Sequence, residues 1–167
     1  MAYIAYLKSP VGFLKIESDG AFLNSVLFVD NFDQSMLVNS ADCELNKTIE
    51  EQLEEYFNGN REAFDIPIQM QGTSFQKEVW SNLQEIPYGK TISYLQLAKN
   101  LQNEKAIRAV GSANGKNKFA IIVPCHRVIG ADGSLTGYAG GLWRKKWLLE
   151  HERKISGKPT FTQMSIF

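Results

Sequence analysis

Cysteine and histidine are scarce in this chain: its 167 residues contain two of each, Cys43, Cys125, His126 and His151. Two cysteines cannot build a disulfide framework, and a reducing compartment leaves both as thiols. The four residues lack the paired spacings of structural zinc, so no metal site is expected. No apolar run approaches the roughly eighteen residues of a membrane-spanning helix. The opening MAYIAYLKSP lacks the basic start, long apolar stretch and small-residue cleavage site of a secretory signal. The expectation is a cytoplasmic protein, or a nuclear one in a host with a nucleus, without a membrane partner. Phosphate-binding glycine loops, dinucleotide fingerprints, repeats and low-complexity tracts are missing too, which leaves no sign of a cofactor.

What the chain does have is a hydrophobic fraction of 44%, ample for a packed core, and a net charge of zero that conceals two unlike halves. From Met1 to Gly72 four basic residues face twelve acidic ones; from Thr73 onward fourteen basic residues face six acidic ones. A basic half is what a polyanion would meet, although charge by itself specifies no more than two solvated faces.

The acidic half reads as α/β. AYIAYL, GFLKIES and FLNSVLFV alternate or run apolar between the turn signals Ser9-Pro10 and Asp19-Gly20, which predicts an antiparallel meander. A loop is expected from Asn31 to Cys43. TIEEQLEEYFNG then predicts an amphipathic helix with Thr48 and Glu51 in capping-box spacing, Ile49, Leu53, Tyr56 and Phe57 on one face, and Gly59 as its stop. FDIPIQM suggests one more strand before composition changes near Gly72, giving domains 1–72 and 73–167.

The basic half reads as mainly α. Thr73 and Gln76 form a second capping-box pair, and Phe75, Val79, Trp80 and Leu83 supply a stripe that ends before Pro87. After a turn at Tyr88-Gly89, Ser93 starts another helix carrying Leu95, Leu97, Ala98 and Leu101. The polar break QNEK separates it from AIRAVGSAN. Two short helices so joined fit a helix-turn-helix and equally an ordinary helical hairpin. The last of these helices is rich in small residues: Ala106, Ala109, Gly111, Ser112, Ala113 and Gly115. Lys105 to Lys118 also carries Lys105, Arg108, Lys116 and Lys118 with no acid. Small side chains permit close approach of a phosphate chain or of another helix, and Ala109 and Ala113 suit either; Arg108 suits the phosphate chain.

The chemistry concentrates in AIIVPCHRVIG, residues 120–130. A thiol attacks as thiolate, and a neighbouring cation or imidazole lowers its pKa, so His126 and Arg127 are candidate activators of Cys125. In an extended segment successive side chains oppose one another, so Cys125 and His126 meet only if the chain turns or a water bridges them. A carboxylate would fix the imidazole tautomer, and the later helix LWRKKWLLEHE offers Glu150 and Glu152. Cys43 reads as an inert small hydrophobe, and His151 as a surface or capping residue. Residue chemistry alone thus reaches an activated thiol beside a basic helical hairpin.

IPYGKTISYLQLA, RAVGSANGKN and IIVPCHRVIGADGSLTGYAGGLWRKKWLLEHE together resemble the methylated-DNA–protein-cysteine methyltransferases, the 6-O-alkylguanine-DNA alkyltransferase family. The likeness runs through nearly all of Thr73 to Glu152. It implies a ribonuclease-H-like α/β N-terminal domain of antiparallel strands plus helix, followed by a mainly α DNA-binding, active-site domain with a helix-turn-helix. It also implies repair of duplex DNA by a single, irreversible transfer of an alkyl group from 6-O-alkylguanine to Cys125, with the damaged nucleotide flipped out, and 4-O-alkylthymine is a second candidate substrate.

By the same resemblance His126 activates the thiol through a water, Glu152 orients that histidine, and Asn117 ties the hairpin's end to the active-site strand. Tyr94 donates to the purine and the Ala139 amide to its oxygen. The carbonyls of Cys125 and Val128 accept from the exocyclic amine, while Tyr138 and Gly140 shape the pocket. Arg108 enters the base stack, and Gln76 and Asn103 are weaker phosphate ligands. A monomer without cofactor or metal is implied. One departure stands out: the family often has Asn-Pro-x-Pro where this chain has Asn117-Lys118-Phe119-Ala120, which suggests a roomier pocket lip. Two other readings compete, a helix-turn-helix protein that binds or senses alkylated DNA without repairing it, and a thiol hydrolase using Cys125 and His126.

Overall fold

The computed structural model describes residues 2–39 and 41–157. Its chain forms two compact units: one comprises the chain up to Met70 together with Lys118–Ile122, the other Gln71–Asn117 and the chain from Val123 onward. The expected second domain extends to Phe167, and its residues beyond Gly157 lie outside the described ones.

In the first unit β1 (Tyr3–Ser9), β2 (Gly12–Ser18) and β3 (Leu23–Val29) form the antiparallel meander. The first hairpin pairs Ser9 with Gly12, and Ser9 Oγ closes the turn by donating to the Gly12 carbonyl at 2.6 Å. Alternation places Ala5 opposite Ile16 and Leu7 opposite Leu14, all buried. Helix α1 (Glu44–Phe57) packs on β1 and β2 through Ile49, Leu53 and Tyr56.

Three sequence expectations fail here. Helix α1 starts four residues before Thr48, with Cys43 as its N-cap; the Cys43 sulfur accepts from the Asn46 amide at 3.5 Å, and the Thr48 hydroxyl donates back to the Glu44 carbonyl instead of capping. The expected loop before it contains a 3-10 turn, Gln34–Asn39, while Ser40 lies outside the described residues. FDIPIQM makes a single bridge, Ile68 to Leu23, in place of a strand, because Pro67 has no N–H for a continuous ladder.

The second unit begins with α2 (Ser74–Leu83), whose capping box of Thr73 and Gln76 is complete. A Cβ on Gly72 would lie 2.5 Å from the Gln76 amide oxygen and 2.8 Å from the Trp80 ring, so only glycine lets the chain enter this cap. The Trp80 indole N–H donates to the Ala113 carbonyl at 2.8 Å and fixes α2 against α4 (Ile107–Gly115). Helix α3 (Tyr94–Asn100) is capped by Ser93 and is joined to α4 by six residues, Leu101–Ala106, whose second half is a 3-10 turn. Two-residue strands β4 (Ile92–Ser93) and β5 (Val128–Ile129) pair in parallel, and α5 (Leu142–Ser156) closes the unit. No helix among the described residues is long and apolar enough to cross a membrane.

Candidate active site

The segment before the cysteine is two tight turns, where an extended strand was expected. The Ile122 amide donates to the Ala120 carbonyl, with Ile121 at φ +71°, and the Cys125 amide donates to the Val123 carbonyl across Pro124. A β-branched residue in the left-handed region is a strained conformation that the surrounding packing must hold. Cys125–Arg127 then forms one 3-10 turn, in which successive side chains are about 120° apart. That replaces the opposed geometry expected of an extended chain.

All three side chains of this turn are buried, and α5 supplies their partner. Glu152, fully buried, accepts from His126 Nε2 at 2.6 Å and from Arg127 at 2.8 and 3.1 Å, while the Gly89 amide adds a fourth bond at 3.3 Å. Gly89 is at φ +77°, and a Cβ there would strike Ser156 at 2.7 Å, so glycine is required for that amide to reach the carboxylate. The remaining Arg127 nitrogen holds the Ile86 carbonyl at 2.7 Å. Arg127 therefore braces the carboxylate, whereas the sequence suggested it as a cation for the thiol. Glu150, the other candidate carboxylate, is partly exposed beside Lys146, and His151 stacks on Trp147 away from this cluster.

Burial would raise the Glu152 pKa, yet the His126 ring and the Arg127 guanidinium, through charge and hydrogen bonds, hold it well below the ordinary carboxylate range. Burial pushes His126 below its ordinary 6.5 despite the carboxylate beside it. A neutral imidazole with Nε2–H on Glu152 leaves the Nδ1 lone pair as a base, and this buried atom has no hydrogen-bond partner within the protein. The tautomer thus follows from an ionised Glu152, and the neutral charge from burial.

Burial also raises the Cys125 thiol above its ordinary value, outweighing a hydrogen bond from the Asn117 side chain and the charge of Lys145. The sequence expectation was a depressed value; the resting group is a neutral thiol, protected until its proton is taken. Asn117 Nδ2 also donates to the Val123 carbonyl at 2.8 Å, and Asn114 Nδ2 reaches the Cys125 carbonyl at 3.4 Å.

Cys125 opens into a cleft of about 100 Å³ lined by Tyr94, Asn114, Asn117, Tyr138, Ala139 and the glycines 111, 115 and 137. Of the sequence-predicted pocket residues, Tyr94, Asn117, Tyr138 and Ala139 meet here. Val128 and Gly140 do not line it: the Val128 carbonyl accepts from Lys145 Nζ at 2.6 Å, and that of Gly140 from Arg144 at 3.0 Å. The Tyr94 hydroxyl donates to the Thr136 carbonyl at 2.9 Å. Lys118, Phe119 and Ala120 are absent from the lining as well; Lys118 and Ala120 bond the Val26 backbone in the first unit.

Helical spacing sets Arg108, Gly111 and Gly115 on one flank of α4, so Arg108, exposed, stands one turn from Gly111 and two from Gly115, both of which line the cleft. Ala113 is buried under Trp80 while Ala109 is exposed, so the pair divides between packing and surface. Asn103 is exposed in the α3–α4 turn, and the Gln76 side chain is engaged in its capping box. Two contributors escaped sequence reading: Asn114, and Lys145 on α5, fully buried with its ammonium on three carbonyls, Val128, Thr136 at 3.1 Å and Gly137 at 3.2 Å. Burial lowers the Lys145 pKa to about 8, with the cysteine's charge opposing. An apolar-looking helix position occupied by lysine was the available signal. Among the described residues no group of three His, Cys, Asp or Glu could hold a metal.

Fold and site together define a helical unit of the nucleic-acid-binding type, built around one buried thiol at the base of a cleft. Residues 74–154 match the family model of the DNA binding domain of 6-O-methylguanine DNA methyltransferase, and residues 2–70 that of its ribonuclease-like domain. The chain is 47% identical over 152 residues to a methylated-DNA–protein-cysteine methyltransferase of Methanosarcina acetivorans, covering 90% of this chain and 97% of the relative. The Mycobacterium tuberculosis O6-methylguanine methyltransferase superposes with a TM-score of 0.82 at 42% identity, covering 92% of this chain and 94% of the other. The OGT of that organism in complex with DNA gives 0.83 at 39%, covering 97% and 98%. The chain belongs to the methylated-DNA–protein-cysteine methyltransferase family.

Proposed function

We propose that this protein repairs DNA by moving the alkyl group of a 6-O-alkylguanine onto Cys125, once per molecule. The observation that carries the reading is the position of the Cys125 thiol: it lines a cleft on the α3–α4 unit and adjoins a neutral His126 whose other nitrogen is fixed by Glu152. Family membership and the relatives' names support it.

In the proposed reaction a water carries the thiol proton to His126 Nδ1 as the sulfur attacks the alkyl carbon. The sulfur–carbon bond forms, the carbon–oxygen bond breaks, and its electron pair stays on the purine. The purine takes up one proton, so the net products are a thioether and guanine. A thioether is a poor leaving group at neutral pH, and the protein stays alkylated. Glu152 stabilises the imidazolium that forms in the transition state. Tyr94 and the Ala139 amide donate to the ring and oxygen where negative charge develops. The cleft is reached only by a base outside the stack. Arg108, above the cleft glycines, fills the gap left in the duplex, and exposed Ala109, Ser112 and Gly115 let α4 approach the backbone closely. Gln76 and Asn103 contact phosphates. Affinity falls with salt as counterions are released.

Mixing the protein with a duplex bearing one methylated guanine should raise its intact mass by one methyl, located on the Cys125 peptide, with no second turnover. Cys125→Ser should leave the lesion in place. Repeated turnover on an ester or amide would favour a thiol hydrolase, and tight binding without mass gain a sensing protein; either result excludes the repair reading.

A further inference from the structure

Lys145 is buried, as Arg127 and Arg144 are, in a unit that exposes most of its basic residues. It has no exposed surface, and its nearest polar groups are all backbone carbonyls: Val128, just after the cysteine turn, and Thr136 and Gly137, on the loop that leads to Tyr138 and Ala139. An ammonium has three N–H donors, and here each has one carbonyl; a neutral amine has two and would leave one carbonyl without a donor. The Thr136 carbonyl is shared, accepting from both Lys145 Nζ and the Tyr94 hydroxyl. Lys145 Nζ also lies 5.8 Å from the Tyr94 ring centroid, and its charge acts on the Cys125 sulfur and on His126.

We propose that Lys145 is a positioning residue for the transfer: its ammonium clamps the cleft loop to the cysteine turn, releases the Tyr94 hydroxyl for the purine, and lends the field of its positive charge to the sulfur as the thiolate forms. This rests on the repair reading for the role of Tyr94. The release follows from the shared acceptor. When the Tyr94 hydroxyl turns from Thr136 to a base, the carbonyl keeps its bond to Lys145, so the loop holds and no buried acceptor is orphaned. The charge effect follows from burial, since both groups are buried and a cation acts with little screening on a sulfur that loses its proton in a low-dielectric site.

The test compares Lys145→Met and Lys145→Arg with the parent on a duplex carrying one 6-O-methylguanine. Lys145→Met should lower the single-turnover rate at saturating duplex at least tenfold. Duplex affinity, measured for both proteins in a Cys125→Ala background, should stay within threefold. The pH profile of Cys125 alkylation by iodoacetamide should move upward in the Met variant and return toward the parent's in the Arg variant. A folded Lys145→Met protein with parental rate and thiol profile overturns the proposal. Should that variant not fold, Tyr94→Phe decides: amide exchange at residues 136–139 should stay within threefold of the parent if Lys145 holds the loop, and a tenfold rise overturns the clamp. A parent that transfers nothing would sink the repair reading instead, while the iodoacetamide and exchange measurements still judge the clamp.

Discussion

Arg127 grips Glu152 with both ends of its fork, Nε on Oε1 at 2.8 Å and a terminal nitrogen on Oε2 at 3.1 Å, and the latter oxygen is the one that holds His126. The guanidinium is thus a countercharge that stays beside the carboxylate when the imidazole is neutral and acts as a base.

Removing that countercharge should be costly. Arg127→Met leaves a buried carboxylate without its cation and the Ile86 carbonyl without its donor, and the expected loss is about 3–5 kcal/mol. Arg127→Lys keeps the charge but not the fork and should lie between. Urea unfolding checks both; a parental midpoint for Arg127→Met would contradict the bracing role.

Acid should unfold the protein in two steps of the same sign. His126 has a folded-state pKa below its ordinary 6.5, so the unfolded chain binds the proton more readily and stability falls as pH drops below that value. Glu152 has a folded-state pKa below its ordinary 4.5, so the stability it confers is present above that value and is lost as pH falls through and below it. Stability measured from pH 8 to 4 should decline by at most about 1.4 kcal/mol per unit per proton, and His126→Gln should remove the limb that begins near 6.5.

Cys43 caps α1 with a sulfur, a weak acceptor, at 3.5 Å from the Asn46 amide. Cys43→Ser should raise stability by roughly 0.5 kcal/mol or more, since serine is a preferred N-cap, and leave transfer to Cys125 unchanged. A drop in thermal midpoint would show that the contact to Ser18 at 3.6 Å matters more than the cap.

Ala120→Pro restores a residue common in the family at the cost of a bond this chain uses, the Ala120 amide to the Val26 carbonyl at 3.0 Å. A loss of about 1 kcal/mol is expected. Because residues 118–120 are absent from the cleft lining, the ratio of methyl to benzyl transfer rates should stay within twofold after Lys118→Pro and Ala120→Pro. A larger change would revive the roomier-lip reading of the sequence.

Periodicity and caps made much of the fold legible. Ser9-Pro10, the Thr73–Gln76 pair and Ser93 each act locally, and each element they bound forms near the expected residues. Failures came where tertiary context overrides local chemistry. Thr48 and Glu51 have capping spacing but sit inside a helix that a thiol begins, because Asn46 and Ser18 are paired at 2.6 Å and draw the helix start to Cys43. The apolar run before Cys125 looked like a strand; it is a pair of turns since its amides bond two residues back. For the candidate site, motif likeness picked out Cys125, His126, Glu152, Tyr94 and Asn117. Lys145 stayed hidden because its partners are backbone carbonyls, which carry no side-chain signature.

The strip Lys118–Ile122, which completes the first unit beside Val26, has a consequence for synthesis. A ribosome delivers the chain from its amino end, so the part of the β3 edge at Val26 must wait through the translation of about fifty further codons after Met70 before its partner emerges. A nascent chain stalled short of that point should expose this edge to chaperones, and a gene cut near codon 72 should yield a sticky, incomplete fragment.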